Sequence, residues 1–161
     1  MKVKNYRDHR IFYTNLLKRS RYFIANYAKI DIFKETLGKQ EIGYRFFEGV
    51  AAGTVMLGQP PASPIFDRYF DWEDVIIRMP VDVENIELII EELDRQPERL
   101  EQIRRRNVYN ALLKHDWLYR WQKVLEVMGL PQTQAMSMRE QHLQDLAQSL
   151  EKEQFALPSF F

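Results

Sequence analysis

Three short apolar runs, each closed by a turn or breaker and set far enough apart to hold helices between them, constrain this sequence most. Residues 21–28 (RYFIANYA) are aromatic and β-branched, residues 54–58 (TVMLG) end in glycine, and residues 74–79 (DVIIRM) stop at Pro80. Each run is short for a helix and apolar enough for a strand buried on both faces. Strands that alternate with helices run parallel, because each connection returns the chain to the same edge of the sheet. The expectation is therefore an α/β, Rossmann-like but partial domain, with a small parallel sheet of about three strands and a helix-rich C-terminal half.

The intervening chain supports that reading. Residues 11–17 suit one short helix, and residues 29–40 (KIDIFKETLGKQ) read as a long connection of the kind that often carries function. A helix is expected from about Ile42 to Ala52, ended by Gly53, and QPPASP at 59–64 reads as loop. Asp82 is placed to cap a helix whose stripe is Ile86, Ile89, Ile90 and Leu93. Pro97 opens the next helix, with Leu100, Ile103, Ala111 and Leu112 inward. Asp116 caps a further helix carrying Trp117, Trp121, Val124, Leu125 and Met128 at helical spacing, with the tryptophans read as core anchors. Gly129 and Pro131 end it. A last helix from about Thr133 turns Met136, Leu143, Leu146 and Leu150 inward, and the apolar tail ALPSFF could dock on the body or on a partner.

Charge and composition narrow the function classes. Lys plus Arg equals Asp plus Glu at 23 each, so no net field draws the chain to nucleic acid. The absence of cysteine excludes disulfides, thiolate chemistry and Cys-based metal sites. The start, MKVKNYRDHR, lacks the apolar run of a signal peptide, and no run approaches transmembrane length, so the expected compartment is cytoplasmic. The charge is uneven, however. Between Lys2 and Arg21 seven basic residues face the single acid Asp8. Peripheral contact with anionic lipid is one reading of that bias, and a solvated first helix is the favoured one.

The densest stretch is QEIGYRFFEGVAAGTVMLG, residues 40–58. On a helix it places Glu41, Arg45, Glu48 and Ala52 on one narrow face with Tyr44 at its edge, and Ile42, Phe46 and Val50 opposite. The small residues Gly49, Ala51, Ala52 and Gly53 keep the helix thin. Following a strand and a long loop, its N-terminus belongs near the carboxyl edge of the sheet, where open α/β proteins bind ligands. Free N–H groups at Gly43 and Tyr44 suit an anion or a sugar hydroxyl there. The plainer alternative is a surface ion-pair ladder of Glu41, Arg45 and Glu48, and the pattern alone favours it. Elsewhere, Asp116 in the cluster His115, Asp116, Trp117, Arg120 and Trp121 reads as a helix cap. His9 and His142 have no partners at ligand spacing, and Asp67, Asp71 and Asp74 form no recognisable metal loop.

The run GYRFFEGVAAGTVMLG, followed by FDW–EDVIIRMP and KHDWLYRW, resembles the C-terminal, donor-binding domain of GT-B glycosyltransferases of the group 1 superfamily. It is most similar to a bacterial branch with RFFEG-AAG and HDW-YRW signatures. The likeness covers roughly residues 11–130 and implies a partial donor-binding domain over 1–130, with residues 131–161 a C-terminal amphipathic helix and tail packing on it or on a partner. In that superfamily an E-x7-E motif spans the donor site. By position Glu48 is its second acid, which holds ribose hydroxyls, and Gly43 is where backbone amides approach the sugar. The first acid's place is taken by Gln40, with Glu41 one residue late, so either is a candidate for the hexose hydroxyls. Tyr44 lies beside the sugar in this reading, and Arg45 is a candidate for the diphosphate.

The resemblance implies a nucleotide-sugar substrate, no metal (there is no Asp-x-Asp), no further cofactor and hexosyl transfer to an acceptor. It assigns no catalytic residue. Related enzymes carry phosphate-clamping Arg and Lys on earlier strands and the acceptor site on a preceding domain. The expectation is thus a fragment or subunit that works with a second glycosyltransferase half or as a homo-oligomer. The alternative is a catalytically inactive, stand-alone nucleotide-sugar-binding or protein-interaction module.

Overall fold

A computed structural model describes residues 5–32 and 37–156. The chain divides into two compact units, residues 1–107 and residues 108–161. Of the ALPSFF tail (156–161) expected to dock on the body or on a partner, residues 157–161 lie outside the described range.

The first unit is built on three parallel strands, β1 (Tyr22–Ile24), β2 (Val55–Gly58) and β3 (Ile77–Arg78), in the order β1-β2-β3. Tyr22 pairs with Val55 and Leu57 with Ile77, so β2 is central. Its four residues are all buried, as a strand covered on both faces requires. The α/β class, the small parallel sheet and the weight of helix are as the sequence implies. A helix α1 (Tyr6–Arg19) precedes the sheet, longer than the short helix expected, because Asn5 accepts from the backbone N–H of Asp8 and caps it a turn early.

Helix α2 (Tyr44–Ala52) ends at Gly53, whose φ of 66° is the left-handed cap that glycine takes most readily. It starts at Tyr44, two residues later than expected, and this corrects one reading. Glu41 is not a rung of a helical ladder with Arg45 and Glu48, because its backbone carbonyl instead accepts from Ala28 N–H at 3.0 Å. Phe46 and Val50 are fully buried, and Gly49 lies so close to β2 that a Cβ there would stand 2.5 Å from the Met56 sulfur.

Residues 59–63 form a loop, one residue shorter than expected, because Pro64 opens a short helix α3 (Pro64–Tyr69) where the sequence suggested none. Ser63 caps it and Pro64 occupies its first position. It delivers Phe66 and Phe70 to an aromatic cluster with Phe46 and Phe47; ring centroids are 5.0 Å apart for Phe46–Phe66 and 4.7 Å for Phe66–Phe70. Helix α4 (Ile86–Asp94) is preceded by Asn85 rather than capped by Asp82, since the chain turns once more after Pro80 before winding. Helix α5 (Pro97–Lys114) opens at Pro97 as expected. Leu93 of α4 and Leu100 and Ile103 of α5 close the core over Val55, Leu57 and Met79. Asn107 is fully buried; its amide nitrogen donates to Thr54 O at 3.0 Å and its oxygen accepts from Trp72 Nε1 at 2.9 Å.

The second unit holds the end of α5 with α6 (Trp117–Val127) and α7 (Gln134–Ala156). Asp116 caps α6 by accepting from Leu118 N–H, and also binds Arg139 of α7 at 2.7 Å. Trp117 and Trp121 are not core anchors. They are 73% and 58% exposed, and Val124 and Met128 share their open face. Helical spacing defines a face but not which neighbour covers it, and here the face carrying Leu118 turns inward instead. On α7 Leu143 is buried as expected, while Ala147 takes the inward place and Leu146 is exposed.

Candidate functional site

The carboxyl ends of parallel strands in an open sheet are where connections diverge and leave room for a ligand. Beyond β1 the chain stays pinned to the segment after β2. Ala25 N–H donates to Leu57 O at 2.9 Å, Tyr27 N–H to Gln59 O at 2.8 Å, and the Asn26 side chain accepts from Gln59 N–H at 2.8 Å. Gly58 makes this closeness possible. Its φ is +145°, and a Cβ there would fall 2.3 Å from Ala25 O. Residues 26–28 then lie along the start of α2; a Cβ on Gly43 would be 3.7 Å from Asn26 O. The N-terminus of α2 is thereby brought to the carboxyl edge, and its cap residue, a glycine, provides no side-chain hydrogen bond to the first turn.

Two groups of side chains form around that point. The first comprises Gln40 and Glu41, which with Gly38, Lys39, Ala62, Ser63 and Pro64 line an open depression of about 520 Å³. Gln40 is fixed there, its Oε1 accepting from Ala62 N–H at 2.7 Å. The second group lies on the outward face of α2. Tyr44 is 74% exposed, Arg45 is exposed, and Glu48, a turn further on, is half-buried. Tyr13 of α1 donates its hydroxyl to Glu48 Oε2 at 3.3 Å. Burial and the adjacent Glu48 carboxylate push the Tyr13 hydroxyl's pKa up, against an opposing pull from Arg45. Tyr13 therefore stays a proton donor, and it fixes one oxygen of Glu48.

Of the six residues expected at a donor site, the structure places Tyr44, Arg45 and Glu48 on one helix face. It sets Gly43 at that helix's cap and Gln40 and Glu41 in the loop before it. Tyr13 was not foreseen. It is 35 positions from Glu48, and nothing local in the sequence connects the two. Among the described residues no group of three or more His, Asp or Glu side chains is placed to hold a metal ion. Among the same residues no helix is long and apolar enough to cross a membrane.

A parallel sheet with a helix N-terminus and polar groups gathered at its carboxyl edge is the arrangement at which open α/β domains bind ligands. The sequence model of a family described as glycosyl transferase-like matches residues 4–126, and the chain belongs to that family. No curated protein and no solved structure matches the chain.

Proposed function

We propose that the chain binds a nucleotide-sugar donor and serves hexosyl transfer to an acceptor, as the donor-binding part of a two-domain GT-B transferase. The observation that carries this reading is the placement of Glu48. It is half-buried on α2, whose uncapped N-terminus stands at the carboxyl edge of the sheet, and it is oriented by Tyr13. An ionised carboxylate accepts at about four lone-pair positions, so the bond from Tyr13 leaves capacity for two vicinal ribose hydroxyls. Tyr44 and Arg45 offer backbone N–H groups of the first turn, and Arg45 adds a cation for the diphosphate. Gln40 and Glu41, in the adjoining depression, face the hexose. The protein's contribution to the reaction is then electrostatic: it holds the departing nucleoside diphosphate in a fixed field of donors. The acceptor site belongs to a second transferase half or to a second copy of the chain.

The test is calorimetric titration with UDP, GDP, ADP and their hexose conjugates. One nucleotide class binds saturably, and Glu48→Gln weakens it by about 10-fold or more, the value of hydrogen bonds to a charged acceptor. Absence of binding at millimolar concentration overturns the donor reading and leaves an interaction module in its place. Binding that is indifferent to Glu48→Gln removes the ribose role from this residue.

A further inference from the structure

Helix α1 has two faces of different character. Tyr13 and Leu17, four apart, turn inward towards α2; Leu17 is buried and Tyr13 reaches Glu48. On the outward side, Arg7, Ile11 and Lys18 form one row, and Phe12, Leu16 and Arg19 form the row beside it. Ile11 is 45%, Phe12 44% and Leu16 52% exposed, three large apolar side chains that adjoin one another on neighbouring turns. Arg7, Lys18 and Arg19 stand exposed at the two ends of these rows. Half-buried Asp8 is the one acid between Asn5 and Arg21, and the charge of Arg21 is already met by Asp94 at 2.8 Å. A solvated helix explains the cations but not the apolar residues between them.

We infer that this outward face of α1 docks on the surface of an anionic lipid bilayer. Ile11, Phe12 and Leu16 enter the boundary between headgroups and acyl chains, and Arg7, Lys18 and Arg19 meet the anionic headgroups. The size and charge of the patch favour lipid over protein. Three half-exposed side chains supply far less than the roughly 800 Å² per partner that a specific protein interface requires. A protein partner would also need acids placed opposite three separate cations. A bilayer needs neither, because its charge is diffuse and its interior accepts a few apolar side chains at any position. Docking this way leaves the inward face of α1, with Tyr13 and Glu48, about one helix diameter (~10 Å) from the headgroups.

The experiment is co-sedimentation of the whole chain with phosphatidylcholine vesicles, with and without about one third phosphatidylglycerol. The chain sediments with the anionic vesicles, remains in solution with the neutral ones, and is released by salt. Lys18→Gln and Arg19→Gln each weaken partitioning roughly 5-fold, the value of one basic residue near such a surface. Phe12→Ser with Leu16→Ser abolishes it even at low salt. All four side chains point to solvent, and unchanged helix content and melting exclude unfolding as the cause. Failure to bind anionic vesicles at low salt overturns the inference, as does equal binding by the variants. Self-association in sedimentation equilibrium that disappears in the Phe12→Ser, Leu16→Ser variant also overturns it, because the face then belongs to a second copy. Nucleotide titration is independent of vesicles, so failure of this inference and failure of the donor reading are separately visible.

Discussion

Asn107 offers the most quantitative check on how the first unit is held together. Its amide bridges two groups from distant parts of the chain, accepting from Trp72 Nε1 at 2.9 Å and donating to Thr54 O at 3.0 Å, and it is itself fully buried. Asn107→Ala removes both bonds at about 1 kcal/mol each. It also leaves the buried Thr54 carbonyl without this donor, a desolvation cost of about 1–3 kcal/mol. With a small cavity added, the expected loss is roughly 3–5 kcal/mol. At about 4 °C per kcal/mol for a unit of this size, the melting temperature falls by roughly 12–20 °C. Guanidinium unfolding followed by tryptophan fluorescence and far-ultraviolet circular dichroism measures the loss. Asn107→Asp sharpens the test. An aspartate retains the acceptor for Trp72 but, when ionised, sets a carboxylate against the Thr54 carbonyl, so it destabilises at neutral pH and recovers as the group is protonated. A loss below about 1 kcal/mol for Asn107→Ala at an unchanged denaturant slope would refute the bridge. An aspartate variant as stable as the parent at pH 7 would refute the donor half of it.

Three further outcomes follow from the same geometry. Gly58→Ala places a Cβ 2.3 Å from Ala25 O at a φ of +145°, and is expected to cost more than about 2 kcal/mol in thermal or chemical unfolding. Arg99 binds Asp74 through two hydrogen bonds of 2.7 and 2.8 Å, and these hold the Asp74 carboxyl below its ordinary 3.8. A depressed carboxylate stabilises the fold above its unfolded value and loses that contribution as pH falls through the folded one. The stability gap between the parent and Arg99→Gln should therefore be constant above about pH 5 and shrink below 3.8. Tyr13→Phe frees Glu48 without removing it, so nucleotide affinity should fall by less than in Glu48→Gln; an equal or larger fall would make Tyr13 itself a ligand contact.

Much of this arrangement is local and so was legible in the sequence. Gly53, Pro97, Asp116 and Gly129 mark helix ends by their own backbone or side-chain chemistry, and each stands at the end it signals. The three apolar runs became three parallel strands for the same reason. Ser63–Pro64 is an equally local helix start, and α3 follows from it. The remaining differences are tertiary. Whether α2 starts at Ile42 or Tyr44 is decided by the pairing of Glu41 with Ala28, 13 residues away. The tryptophans of α6 have the right spacing for a core and lie on the open face, because spacing carries no information about neighbours. At the candidate site the residues on α2 could be named beforehand, but the Tyr13 hydroxyl that orients Glu48 arrives from another helix and leaves no trace in local pattern.

The lengths of the strands have a consequence for how this protein behaves at high concentration. The longest strand, β2, is central, and the edges are formed by β1 with three residues and β3 with two. An edge strand templates aggregation by presenting a row of unpaired N–H and C=O groups to another chain. Edges this short present about one or two such groups each, too few to hold an incoming strand in register. The sheet thus limits its own growth through the shortness of its edges. Any association of this chain should run through side chains on its helices, and should respond to point substitutions there rather than proceed to fibres.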